Sequence, residues 1–184
     1  MKKILVVYYS RTQTTKKVAE ILAEKLGADI EEIKDTVDRR GVKGYWLSGK
    51  DATLRKLTVL EKMEKDLSNY ELVIIGTPIW SWNMSVPVRT YITENKDKLC
   101  HISLYGNEEK LRSNSGDISR EKSKDNFPEV AFFCTMGGSG DERAFKEMSE
   151  IIGKDPVSTL ALKTIEVVKN SAEEKIEEFI KFLI

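Results

Sequence analysis

Histidine occurs once in this chain, at His101, and cysteine twice, at Cys100 and Cys134. With no clustered thiols or imidazoles, a transition-metal site has almost nothing to be built from. The cysteines form no C-x-x-C pair, and Cys134 falls in an apolar run, so it reads as a small buried hydrophobe. Charge of one sign is also missing: 30 basic and 30 acidic residues cancel. That balance speaks against a nucleic-acid partner and against a basic face lying on a membrane. No apolar run approaches the roughly 18 residues of a spanning helix, and the stretch after Lys2-Lys3 is too short for a signal peptide. The expected location is cytoplasmic. Glycine phosphate loops are absent as well. There is no G-x-x-x-x-G-K-[ST], and no G-x-G-x-x-G follows the first strand, which excludes the usual nucleoside triphosphatase and dinucleotide-binding loops. A phospho-acceptor receiver would need acidic residues where Tyr8 and Tyr9 stand.

What is present begins at once. Ile4 to Tyr9 is an unbroken apolar run, the pattern of a strand covered on both faces of a parallel sheet. Ser10-Arg11-Thr12-Gln13-Thr14-Thr15 follows, and a helical pattern (Val18, Ile21, Leu22, Leu26) runs over 16–26 to a stop at Gly27. A turn so rich in hydroxyls at a helix start reads in two ways. It is an ordinary N-cap with extra threonines, or it binds a phosphate with its free N–H groups and hydroxyls.

Strand and helix patterns then alternate. Strands are expected at 28–34, 72–76, 130–135 and 156–162. Helices are expected in part of 51–66 (Leu54, Leu57, Leu60), from Ser85 and Pro87 to about Glu94, and from Gly140 to Ile152. A closing amphipathic helix is marked by Ile176, Phe179, Ile180 and Leu183. The 184 residues have the size of one domain, and the alternation implies an α/β fold, a doubly wound five-stranded parallel sheet. Residues 96–128 break the rhythm, with a polar and charge-balanced centre at 106–128, and read as a surface insertion. Ligands in such folds bind beyond the carboxyl ends of the strands, which singles out residues 10–15, 77–84 and 135–140.

The second of these loops, Thr77-Pro78-Ile79-Trp80-Ser81-Trp82-Asn83-Met84, carries two indoles suited to stacking on a flat aromatic ligand or on the next helix. The third, Thr135-Met136-Gly137-Gly138-Ser139-Gly140, lets backbone approach a ligand closely. Tyr45 and Trp46 read as a satellite core, as a cover for a ligand, or as an interface for a homodimer. A Ser10–His101 hydrolase pair lacks the G-x-S-x-G elbow.

Together the three loops resemble those of the flavodoxin family and its FMN-binding relatives. The resemblance is carried by Tyr9-Ser10-Arg11-Thr12-x-Thr14-Thr15-Lys16-Lys17-Val18-Ala19 and by Gly76-Thr77-Pro78-Ile79-Trp80-x-x-Asn83-Met84-Ser85-x-Pro87-Val88-Arg89. It implies FMN as cofactor and a strand order of 2-1-3-4-5. By position, Ser10, Arg11, Thr12, Gln13, Thr14 and Thr15 would hold the phosphate. Thr77 to Met84 would flank the ring, and Thr135, Met136, Gly137 and Gly138 would line its pyrimidine end. Gln13 replaces a family glycine. Residues 81–84 lack the glycine whose peptide turns on reduction in electron-carrying flavodoxins, and Asn83 is the expected substitute because Asn tolerates positive φ. The chain is also neutral where electron-carrying relatives are acidic. The implied function is electron transfer with a redox partner protein or a small quinone-like acceptor. The alternatives are an NAD(P)H-dependent quinone or flavin reductase and a flavin-binding module without redox use.

Overall fold

The computed structural model describes residues 2–39, 41–100 and 127–184, with the side chain of Tyr45 outside the description. At its centre stands β1 (Ile4–Tyr8), five consecutive buried residues. It pairs in parallel with β2 (Asp29–Glu32) on one side and β3 (Leu72–Trp80) on the other. β5 (Glu129–Met136) follows β3, and β6 (Thr159–Lys163) closes the far edge. A two-residue strand, β4 (Asn83–Met84), folds back antiparallel onto the end of β3. The path β2-β1-β3-β5-β6 is the expected five-stranded parallel order, with β4 as a hairpin addition.

Alternating residues of each strand serve opposite faces, as the two-residue period of a strand requires. Leu5, Val7, Val73, Ile75, Val130 and Phe132 pack with α3 (Val86–Leu99) and α4 (Asp141–Ile152). Ile4, Val6, Ile74, Ala131 and Phe133 pack with α1 (Thr14–Leu26) and α6 (Glu173–Lys181). The helix after β1 therefore covers one face and the helix after β3 the other. This reversal between adjacent strands opens a crevice at their carboxyl ends.

Gly76 shows how tightly the sheet centre is filled. A Cβ there would lie 2.1 Å from the Phe133 ring on the neighbouring strand. Gly76→Ala is expected to cost about 1–3 kcal/mol by overpacking, read as a lower thermal midpoint. An unchanged midpoint would mean that the ring has room to move away.

Two expectations are corrected, and one element is new. The helix placed in 51–66 lies earlier, as α2 (Gly41–Thr53). Residues 54–60 instead run back along the segment after β2: Thr36 N–H donates to Val59 O, Glu61 N–H donates to Lys34 O, and Leu54 and Leu57 stay exposed. The leucine spacing was helical, but backbone pairing with residues 34–36 prevailed. A short helix, α5 (Thr164–Val168), follows β6 and had no expectation. The third helix reaches Leu99, so the supposed insertion begins as regular helix, and its polar centre lies outside the described residues apart from 127–128. His101 also lies outside them.

Candidate functional site

The first loop ends in a strained helix start. Gln13, immediately before α1, holds φ 66°, ψ −5°, a left-handed conformation, and offers no side-chain cap. The first intrahelical bond runs from Lys17 N–H to Gln13 O, so the N–H groups before it have no acceptor within the helix. No carboxylate sits in this first turn. Ser10 Oγ is buried with no partner. The Thr12 and Thr14 hydroxyls lie 3.5 Å apart at the surface. Thr15 is buried, and its hydroxyl is 2.8 Å from that of Thr135 at the end of β5. This contact fixes the first loop against the third.

The second loop is not irregular. β3 continues to Trp80, and Ser81-Trp82 forms a two-residue turn into β4, with φ of 47° and 61°. Hairpin turns of this kind usually carry Asn or Gly, because positive φ costs other residues about 1–2 kcal/mol. The expectation that Asn83 would supply the positive φ is thus corrected: Ser81 and Trp82 supply it. Asn83 is buried and donates from Nδ2 to Ser81 O at 2.5 Å, while its Oδ1 is buried without a partner. Ser81→Gly is expected to stabilise the fold by about 1 kcal/mol, read as a higher urea midpoint. No gain would place the turn in a different conformation.

The two tryptophans separate cleanly. Trp80 is buried, edge-on to Tyr9 at 5.5 Å, with the Arg39 guanidinium 5.7 Å from its ring centre. Trp82 is 63% exposed, and its Nε1 donates to Ser139 Oγ at 3.2 Å. The glycine loop meets this turn directly. A Cβ on Gly140 would lie 2.8 Å from Trp82 Cα and 2.9 Å from Ile79 Cγ2, and its φ is 114°. Gly137 and Gly138 have open space above them. Thr77 faces inward: its hydroxyl accepts from Ser85 N–H at 3.0 Å and lies 3.1 Å from Ser85 Oγ. Met84 is fully buried, Thr135 and Met136 are nearly so, and Pro78 and Ile79 are half-buried. Trp46 is 73% exposed, which removes the satellite-core reading for it.

Beneath the turn lies a buried ionic cluster that had no signal in composition or spacing. Arg39 Nε donates to Asp35 at 2.5 Å and Nη1 to Asp51 at 3.2 Å. It anchors α2 against Trp80. Burial pushes the phenol of Tyr9 and the thiol of Cys134 up to about 12. Both groups stay protonated in the folded chain at pH values where the unfolded chain ionises them. The stability this gives is complete below pH 9 and is lost as pH rises from there toward 12. Urea midpoints should accordingly fall between pH 8 and about pH 11. A flat profile would mean that neither group is kept from solvent.

Three loops, from the carboxyl ends of β1, β3 and β5, thus meet at the reversal point of the sheet. Residues 3–102 match the family model described as flavodoxin. The chain belongs to the flavodoxin family. Among solved structures, this flavodoxin-family chain is similar to a flavoprotein from Lactobacillus acidophilus NCFM crystallised in complex with FMN. The two share 23% identity with a TM-score of 0.64, over 93% of this chain and 99% of that one. A putative flavoprotein from Bacteroides uniformis ATCC 8492 shares 21% identity with a TM-score of 0.67, over 98% of each chain. A flavodoxin from the domain Archaea shares 17% identity with a TM-score of 0.50, over 99% of each. At these identities the likeness concerns the fold. No curated protein matches the chain. Among the described residues, no helix is long and apolar enough to cross a membrane.

Proposed function

We propose that this chain binds FMN at the three-loop junction and acts in electron transfer. The observation that carries the reading is the first loop. An uncapped helix start, the buried unpartnered Ser10 hydroxyl and the absence of any carboxylate in the turn suit a phosphate ester. Ser10, Thr12 and Thr14, with the N–H groups of residues 11–15, would hold the phosphate, and Thr15 would position the turn through Thr135. The exposed indole of Trp82 offers a stacking face, and Gly137 and Gly138 leave backbone accessible beside it. The inward-facing Asn83 Oδ1 is a further unused acceptor at the same turn. Bound there, FMN would supply one- and two-electron redox chemistry.

One observation supports the NAD(P)H-dependent reductase as a second reading. The Ser81 carbonyl is held by Asn83 Nδ2, in a turn whose two central residues already sit at positive φ. A backbone turn held this way resists rotation on reduction, which suits hydride traffic to a small quinone-like acceptor. A fluorescence titration with FMN and riboflavin tests the cofactor, with tighter binding of FMN expected. Anaerobic addition of NADPH to the loaded protein then separates the two roles. Reduction by NADPH alone supports the reductase, and reduction only by dithionite or a partner protein supports the carrier.

A further inference from the structure

A cleft of about 480 Å³ runs between α1 and the turn that joins α5 to α6, floored by Val18, Ile21, Val167, Ala172 and Ile176. None of residues 10–15, 77–84 or 135–140 lines it. Its floor belongs to the sheet face that α1 and α6 cover, whereas Trp80 and Met84 of the second loop pack on the opposite face. The helices part here because α6 opens on a small residue: Ala172, its N-cap, has only a methyl group to set against α1. Val18, Val167, Ala172 and Ile176 are fixed in the core, so the floor is preformed, and its size is that of a small-molecule site.

The two ends of the cleft carry opposite charge. At one end the Lys17 ammonium donates to Asn170 Oδ1 at 2.6 Å and to Val167 O at 3.3 Å. Both acceptors are neutral, and among the described residues no carboxylate pairs with Lys17. Lys25 marks the other end, eight residues on and about 12 Å farther along α1 at roughly 1.5 Å per residue. There Glu177 pairs with Lys25, and Glu173 and Glu24 act on it as well, so three carboxylates face one ammonium. A lone anion would leave the acidic end unmatched, and a lone cation the basic end. Asn170 adds a donor: its Oδ1 serves Lys17, while its Nδ2 has no acceptor among the described residues. We infer that this cleft binds a short apolar peptide with free ends, its carboxylate at Lys17, a carbonyl at Asn170 and its ammonium at Glu24 and Glu173. Four extended residues span about 13 Å, at roughly 3.3 Å each, which matches the separation of the ends. The inference goes beyond the FMN reading and does not rest on it.

Calorimetric titration of the full chain with the tetrapeptide Ala-Leu-Leu-Ala tests it, beside the same peptide acetylated at its amino end, the same peptide amidated at its carboxyl end, and tetraserine. The free peptide is expected to bind saturably, with or without added FMN. Each blocked form should bind roughly tenfold more weakly, as expected for one lost charge-assisted contact. Tetraserine, which has both charges but no apolar body, should not bind. Lys17→Gln should weaken the free peptide roughly tenfold and leave the amidated form unaffected, and Lys17→Arg should restore the free peptide. Glu24→Gln combined with Glu173→Gln should weaken the free peptide and leave the acetylated form unaffected. All three positions are exposed, so thermal midpoints should hold. A Lys17 that only braced the Asn170 turn would, when replaced, weaken the free and amidated forms alike, and that result would overturn the assignment. Non-saturable binding, tetraserine binding as well as the apolar peptide, or displacement of the peptide by FMN would overturn it too.

Discussion

Replacing Ser10 by alanine and Thr12 by valine together will weaken FMN binding by about 3 kcal/mol or more, at roughly 1.5–3 kcal/mol per hydroxyl donated to a charged acceptor. Riboflavin, which lacks the phosphate, should bind the variant as it binds the wild type. The fold should not suffer. Ser10 Oγ has no partner to lose, and Thr12 reaches only Thr14, at 3.5 Å. Removing an unpaired buried hydroxyl relieves a desolvation cost in the free protein. Parallel fluorescence titrations with the two ligands decide the matter. Equal losses for both would show that the first loop does not hold a phosphate.

The largest effect on stability is expected at Glu147. This carboxylate, 7% exposed on α4, accepts a two-pronged pair of bonds from Arg89 on α3, itself 3% exposed. Arg55 approaches the same carboxylate at 3.2 Å. Glu147→Ala leaves the Arg89 guanidinium buried without its counter-charge, at a cost of about 3–5 kcal/mol. Glu147→Gln keeps an acceptor in place and should cost less. A double replacement, Arg89→Met with Glu147→Leu, removes both charges and should recover much of the loss, since apolar groups of similar volume often substitute for such pairs. Urea unfolding of the three variants gives the comparison. A loss below about 1 kcal/mol for Glu147→Ala would mark the pair as solvated.

Strand and helix order was legible because its signals are local. Ile4 to Tyr8 and Leu72 to Ile75 are continuous apolar runs, and the structure covers them on both faces. Gly27 stops α1 with its left-handed φ of 59°. Each loop of interest follows a buried parallel strand, so its place at the carboxyl edge came with the strand assignment. Gln13, which replaces a family glycine, nevertheless takes a left-handed φ of 66°. Residues 54–60 misled, because leucines at helical spacing carry no information about a backbone partner at residues 34–36.

Local pattern, then, determined the class of fold, the succession of its elements and which turns share one edge. It did not determine which tryptophan is buried, since Trp80 and Trp82 are two residues apart and equally apolar. Tertiary packing decided that, by seating Trp80 on Tyr9 and Arg39 and turning Trp82 out at a hairpin tip. It also decided that Ser81 and Trp82, not Asn83, take positive φ, because the register of β4 on β3 leaves only two residues for the turn. The same holds for the buried pairs Arg39 with Asp35 and Asp51, and Arg89 with Glu147. Charged residues look alike in sequence whether solvated or buried. The contact between Thr15 and Thr135 joins positions 120 residues apart. Periodicity reports the face a residue offers within its own element. Burial and charge pairing depend on which distant element covers that face, and only the assembled sheet brings those elements together.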